Sequence, residues 1–416
     1  MERPCGLPFM RTNFYLNQNR RCPVNYDHIE TAEQLALFCN DVKGSKFIGF
    51  DTEFVSEDTY YPELCLIQVA TDDRVAVIDP QKVKNVEPFW KLLCENGHRT
   101  IVHAGREEFR FCRSACNSRP SDLFDIQLAA GFIGLEYPAS YAKLISKLLD
   151  VRLPKGETRT DWRKRPLSDN QIEYALKDVT YLKPLHDKIQ ARLVELERAE
   201  WFHEEMRAWE DNQEFVEAQE RWRRVSGISS LPEKALVVAR EIWRWRESEA
   251  QSRNRPVKRI LRDDFIIELS RRGTPDLSRI RSIRGIERSV SKHNLSQIGK
   301  AIAVAKKIPK EEWPKSHAAP ASMQSTLLGQ FISVALSSIC KSNELAPGIV
   351  GTIQDVRDLI RFRLHPEQFS DRTTPALAVG WRASVVGESI ERLLSGENII
   401  RIGDVKADNP LVIESR

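Results

Sequence analysis

FIGFDTEFVSEDTYYPELCLIQVA, residues 47–70, is the stretch whose reading decides the fold. It opens on four residues, Phe47-Ile48-Gly49-Phe50, that read as a short apolar strand, and it closes on a second apolar run, Leu64 to Ala70. A third strand, Val75 to Ile78, follows across the polar turn Thr71-Asp72-Asp73-Arg74. Directly after the first strand come Asp51 and Glu53. Residues two apart on a strand share a face, so both carboxylates point into one pocket at a sheet end.

Outward from this stretch the pattern alternates. Apolar spacing predicts a helix over Glu87–Cys94, a strand over Thr100–His103, and helices over Arg106–Cys112, Asp125–Phe132, Tyr141–Leu149 and Ser168–Glu197. Ser168 fits an N-cap, with Asp169 and Glu173 favouring the positive end of that last helix. Strand hairpins followed by alternating strands and helices imply an α/β domain, a mixed sheet flanked by helices, over 26–197.

Two further segments contribute acids. Glu108 opens the helix after Thr100–His103, and Tyr174 and Asp178, four apart on a helix, share a face. Taken singly, each fragment reads as solvated surface carboxylates. Brought together, they repel by several kcal/mol unless cations lie between them. Hard divalent ions such as Mg²⁺ and Mn²⁺ prefer oxygen ligands. Two such ions about 3.5–4 Å apart clamp a phosphodiester, so the expectation is a two-metal phosphodiesterase with Asp51, Glu53, Glu108 and Asp178 as ligands. A phenol with an intrinsic pKa of about 10 suits orienting the attacking water better than acting as a free base, which is the role expected of Tyr174.

The composition fits this picture. The chain has 416 residues, 41% hydrophobic and 29% charged, as in soluble globular proteins of two or three domains. No run reaches the roughly 18 uncharged apolar residues of a membrane helix, and the N-terminus lacks a signal-peptide core, so a cytoplasmic protein without membrane contact is expected. The eight cysteines form no CxxC pair and read as free thiols. The net charge of +4 is uneven: residues 221–310 hold 23 Lys/Arg against 9 Asp/Glu. A basic segment on a mildly acidic body points to a polyanion-binding module. Most of it is a stretch, 230–309, that reads as all-helical. Around it lie an N-terminal extension (1–25), a polar helical connector (198–229), a linker bearing Pro314 and Pro320 (310–325) and a mostly helical C-terminal domain (326–416).

Residues 46–190 resemble the 3′–5′ exonuclease domain of the ribonuclease D family, in the DEDDy group. The resemblance rests on residues 47–70, on IVHAGREEFRFC (101–112) and on ETRTDWRKRPLSDNQIEYALKDVTYL (157–182), and it includes residues flanking the acids. Residues 230–308 resemble the helical HRDC domain, a nucleic-acid-binding unit, and 326–416 is a candidate for a second, diverged unit of that kind. The resemblance implies an RNase H-like α/β exonuclease domain followed by all-α domains. It further implies Asp51, Glu53 and Asp178 as metal ligands and Tyr174 as the water-orienting tyrosine. At the fourth acid the family has Asp, whereas this chain has Glu108, one methylene longer, with Glu107 beside it. Phe54, Tyr60 and Tyr61 are candidates to stack on terminal bases. Lys155, Arg159, Arg163 and Lys164 are candidate phosphate contacts, His103 a hydrogen-bonding residue at the strand end, and Asp125 a supporting residue.

The function expected is a metal-dependent 3′–5′ exoribonuclease releasing nucleoside 5′-monophosphates. It would use two Mg²⁺ or Mn²⁺ ions and act, as a monomer, on structured RNA precursors with single-stranded 3′ ends, tRNA foremost. The alternatives are a 3′–5′ DNA exonuclease, since the same chemistry acts on DNA, and a catalytically weak RNA-binding scaffold in which Glu108 has spoiled one metal site.

Overall fold

The computed structural model describes residues 11–15, 23–153, 160–315, 323–369 and 374–416. By their contacts these fall into two units, one drawn from Met1–Glu53, Cys65–Gln213 and Ala321–Arg416, the other from Phe54–Leu64 and Glu214–Pro320.

The sheet of the first unit is built from β1 (Arg11–Tyr15), β2 (Pro23–Ile29), β3 (Phe47–Val55), β4 (Glu63–Ala70), β5 (Val75–Ile78), β6 (Arg99–Val102) and β7 (Leu123–Asp125), in the order β1-β2-β5-β4-β3-β6-β7. It is mixed: β2 runs parallel to β5, and β3 to β6 to β7, while β1–β2 and β4–β5 are antiparallel. Its helices are α1 (Ala32–Val42), α2 (Pro80–Val83), α3 (Glu87–Cys94), α4 (Arg106–Cys116), α5 (Ile126–Gly131), α6 (Tyr141–Leu149), α7 (Asp169–Thr180), α8 (Leu182–Glu195) and α9 (Ala199–Ala218). Apolar residues of β3 and β4 and of the helices, among them Ile48, Phe50, Leu66, Ile67, Phe38, Phe89 and Phe109, are almost wholly buried. Each such side chain contributes roughly 1.5–3 kcal/mol to holding helices on sheet.

Three departures from the sequence reading have local causes. β2 and α1 stand where the sequence reading placed no element, although Leu35, Phe38 and Val42, buried at helical spacing, and the Thr31–Gln34 capping box mark α1. β7 is three residues long and runs straight into α5, for which Asp125 is already the N-cap. The helix expected over Ser168–Glu197 is two, because Tyr181 leaves helical geometry (φ −96°, ψ 0°) while the apolar spacing continues through Leu182, Leu185 and Ile189. Ser168 does cap α7, in a reciprocal capping box with Gln171.

The second unit holds α10 (Glu233–Arg253), α11 (Val257–Ile260), α12 (Asp263–Arg272), α13 (Leu277–Arg281), α14 (Ile286–Ser289) and α15 (Lys292–Ala305) around a core that includes Leu236, Ile242, Ile266, Ile286, Ile298 and Ile302. Gly273, in the left-handed region at φ 55°, ends α12. Arg246, nearly buried, is matched by Asp263 at 2.6 Å and the Leu261 carbonyl at 3.2 Å.

The C-terminal segment carries α16 (Met323–Ser342), α17 (Pro347–Val350), α18 (Ile353–Leu364), α19 (Gly380–Arg382) and α20 (Glu388–Ser395), then a hairpin of β8 (Asn398–Ile402) and β9 (Leu411–Ser415). Expected as a domain of its own, it groups instead with the α/β body. The reason lies in its polar contacts. Buried Arg198 donates to the carbonyls of Phe132 (2.7 Å) and Glu344 (2.6 Å), and the Ala346 amide donates to Gly131 (2.9 Å). Arg382 pairs with Glu205, and Trp381 stacks on Trp201 at 5.9 Å. No helix among the described residues is long and apolar enough to cross a membrane.

Candidate active site

The site is assembled at the carboxyl ends of the parallel strands. Gly49 of β3 pairs with Ile101 of β6, so Asp51 and His103 stand level, each two residues further on; Val102 in turn pairs with Asp125 of β7. Ligands gather at such strand ends because the loops leaving them diverge. A Cβ on Gly49 would lie 3.1 Å from the Leu182 side chain, a tight fit that would push that side chain by a few tenths of an ångström. A Cβ on Gly105 would lie 2.3 Å from Val102, blocking the turn that starts α4.

Asp125 holds that turn. Its carboxylate accepts from the amides of Ala104 (3.1 Å), Gly105 (2.9 Å), Gln127 (2.8 Å) and Leu128 (3.2 Å). One buried side chain thus fixes the start of α4, including Ala104 in the left-handed region at φ 56°, and caps α5. Glu108, in the first turn of α4, is buried and accepts a 2.5 Å hydrogen bond from the Thr52 hydroxyl. Glu107 turns away to Arg110 (2.7 Å).

A cavity of about 180 Å³ is lined by Phe50, Asp51, His103, Tyr141, Tyr174, Asp178 and Leu182. Its electrostatics are those of crowded, desolvated carboxylates. Burial, then Glu108, Asp178 and Glu53, raise Asp51 well above the usual carboxylate range. Burial, then Asp178 and Glu108, push Glu53 up to about 8. Burial lifts Glu108 to about 7 against the hydrogen bond from Thr52, and Asp178 to about 7 against a hydrogen bond from the Tyr174 hydroxyl. Tyr174 is itself raised, by burial and then by Asp178, Glu53 and Asp51, so it stays a phenol rather than a phenolate. Burial lowers His103, which is neutral at neutral pH with Nε2 3.0 Å from the Ala139 carbonyl oxygen.

The four acids therefore form one electrostatic group, although no three of them bring oxygens within 4.8 Å of one another. Among the described residues only His28, Glu30 and Asp79 do that. That trio already carries cationic side chains, Arg165 on Asp79 (2.6 Å) and Lys82 on Glu30 (2.5 Å). An all-oxygen donor set that holds protons near neutrality suits hard divalent cations.

The loop before α7 is pinned by Arg165. All five of its N–H donors are used: two on Asp79 (2.6 and 3.0 Å) and the others on the carbonyls of Cys65, Trp162 and Lys164. This sets buried Trp162 against the ring of Tyr174, centroids 6.2 Å apart. Sequence spacing assigns a role to neither Arg165 nor Tyr141: Arg165 is one of several cations in its loop, and Tyr141 opens a helix.

Tyr60 and Tyr61 sit in the stretch that groups with the helical unit. There the Tyr60 hydroxyl donates to Glu247 (3.1 Å) and accepts from Gln251 (3.1 Å), and Asn254 accepts from both tyrosine amides. Tyr60 is thus an anchor on α10 and not a free stacking platform. Tyr61 is exposed, and Phe54 belongs to the same stretch. Arg163 is held by Asp161 at 2.9 Å, and Lys164 is exposed. Lys155 and Arg159 lie outside the described residues.

Comparison with known proteins agrees with this layout. The family model described as 3′-5′ exonuclease matches residues 26–194, and that of the HRDC domain residues 235–302. The chain is 32% identical to a ribonuclease D of Acidiphilium cryptum, over 88% of this chain and 93% of that one. It is 30% identical to a ribonuclease D of Jannaschia sp., over 89% and 95%. The crystal structure of Escherichia coli RNase D superposes with a TM-score of 0.76 at 24% identity, covering 89% of this chain and 99% of the other, and so shares the fold.

Proposed function

This chain belongs to the ribonuclease D family, and on that premise we propose that it trims structured RNA precursors, tRNA among them, from their 3′ ends to nucleoside 5′-monophosphates with the help of two divalent cations. Its class, a 3′–5′ exoribonuclease with a nucleic-acid-binding HRDC domain, follows from the family. The observation that carries the mechanism is that Asp51, Glu53, Glu108 and Asp178 are all raised by burial, Asp51 and Glu53 further by the neighbouring carboxylates, with Asp51 and Asp178 in the wall of one cavity. Carboxylates that reluctant to ionise together are stabilised by bound Mg²⁺ or Mn²⁺.

When bound, such ions neutralise charge on the phosphodiester and lower the pKa of the attacking water. The chain's own residues do the positioning. Asp51 and Glu53 come from β3, Asp178 from α7 and Glu108 from α4, so three rigid elements share the work. Tyr174, kept protonated and bonded to Asp178, orients the attacking water. In-line displacement at phosphorus depends mainly on such alignment and charge stabilisation.

Glu108 substitutes for the family's aspartate. Its extra methylene lets it reach Thr52 while leaving the second carboxylate oxygen for a cation. Glu108→Asp breaks the Thr52 hydrogen bond, and the expected result is reduced turnover. A large gain from near-zero activity would instead mark the natural chain as a binding scaffold. Substrate class is tested by degrading matched RNA and DNA strands in parallel; DNA digestion as fast as RNA digestion would remove the RNA-specific reading.

A further inference from the structure

The proposed mechanism leaves one polar group in the cavity without work. Tyr141 is the first residue of α6 and lines the cavity with Asp51, His103, Tyr174 and Asp178. Its hydroxyl oxygen is shut off from solvent and has no hydrogen-bond partner. The Tyr181 amide, which approaches it, is turned to the Val179 carbonyl. The ring lies at a tilt to His103, centroids 5.3 Å apart.

A buried hydroxyl that makes no bond destabilises the fold, and most such groups find a partner. One that persists in a cavity is a group waiting for a ligand. The other polar lining side chains are already committed: Asp51 and Asp178 are acceptors, Tyr174 donates to Asp178, and His103 Nε2 lies on Ala139. Among the described lining residues Tyr141 therefore carries the uncommitted hydroxyl donor. A phenol with an ordinary pKa of about 10 keeps its proton at neutral pH.

The cavity's size selects the portion of the substrate that enters. At about 180 Å³ it is smaller than the roughly 300–1,000 Å³ of sites that enclose whole small molecules. It is large enough for a phosphoryl group lying against Asp51 and Asp178. The carboxylates repel phosphate, so a neutral donor in the cavity wall is the group that can meet a phosphoryl oxygen directly. We propose that the Tyr141 hydroxyl donates a hydrogen bond to a non-bridging oxygen of the scissile phosphodiester. It is a substrate-contacting residue beyond the four acids and Tyr174. The inference rests on the nuclease reading and adds to it.

The test is Tyr141→Phe in the full chain, which removes one oxygen and keeps the ring. Two RNA substrates are used, identical except that one ends in a 2′-deoxynucleotide, and unfolding is followed without metal. The expected result is that kcat/KM falls at least 10-fold, equally on the two substrates, with a Tm no lower than that of the natural chain. A role in packing alone predicts the reverse, a lower Tm with kcat/KM unchanged, and overturns the proposal. So does a loss confined to the substrate with the 2′-hydroxyl, which would move the contact to the ribose. Asp51→Ala is run alongside. If it retains turnover, Asp51 is not in the metal site and the assignment of this cavity as the active site fails; if it is inactive while Tyr141→Phe is unaffected, only the Tyr141 inference fails.

Discussion

Asp178→Asn should make the metal-free protein more stable while abolishing turnover. The folded chain keeps a proton on Asp178 up to about pH 7, where the ordinary value is 3.8. Between these values the native state binds more protons than the unfolded state, so stability falls as pH rises through this window. At 1.36 kcal/mol per pH unit the full difference caps the effect at about 4 kcal/mol. Because Asp51, Glu53 and Glu108 share the charge, a single substitution recovers less than the whole, roughly 2–4 kcal/mol. Asparagine removes the charge and keeps an acceptor for Tyr174. At roughly 2 °C per kcal/mol for a large domain, the variant should melt about 4–8 °C above the natural chain in EDTA at pH 8. Near pH 3, below both values, the carboxyl is largely protonated in both states and the gap should close. Mg²⁺ should raise the Tm of the natural chain and leave the variant nearly unchanged. The assay is thermal unfolding by circular dichroism at the two pH values, with and without metal. A variant that melts at or below the natural chain in EDTA at pH 8 would refute the reasoning, because burial would then not be penalising the Asp178 charge.

Two further outcomes are expected. Arg165→Met leaves Asp79 charged and buried, and should lower stability by about 3–5 kcal/mol, measured by urea unfolding; replacing Asp79 by Asn in the same chain should recover much of the loss. Replacing the exposed Arg255, Lys258 and Arg259 by Ala should weaken RNA binding and flatten the slope of log K against log salt by roughly 0.7–0.9 for each phosphate no longer neutralised, read by fluorescence anisotropy, with little effect on a short single strand.

Much of this was legible in the sequence. Val75–Ile78, Glu87–Cys94 and Tyr141–Leu149 have the bounds that their apolar spacing predicts, because each is a short amphipathic or apolar element between clear breakers. The mixed sheet and the helical unit were readable for the same reason. What period cannot show is which surface an element packs against. The C-terminal segment reads as another helical domain, yet its attachment to the body depends on Arg198, Glu205 and Gly131, all far upstream of their partners Glu344, Arg382 and Ala346. The acids were readable as fragments, since D-x-E on a strand and Y-x3-D on a helix fix faces. The Thr52–Glu108 bond, the five-donor clamp of Arg165 and the isolated hydroxyl of Tyr141 are products of tertiary contact, and no spacing announces them. Tyr60 shows the opposite error: an aromatic close in sequence to Glu53 is not thereby a substrate contact, because Glu247 and Asn254 claim it.

The account stands most directly on 3′-end degradation of a 5′-labelled RNA with a structured body and a short single-stranded tail. It would be run with Mg²⁺, with Mn²⁺ and with EDTA, for the natural chain and for Asp51→Ala. The account predicts a ladder that shortens from the 3′ end with either metal, releases nucleoside 5′-monophosphates, stops in EDTA and is absent in the variant. Binding of the RNA without shortening under either metal, or a ladder that survives Asp51→Ala, would contradict it.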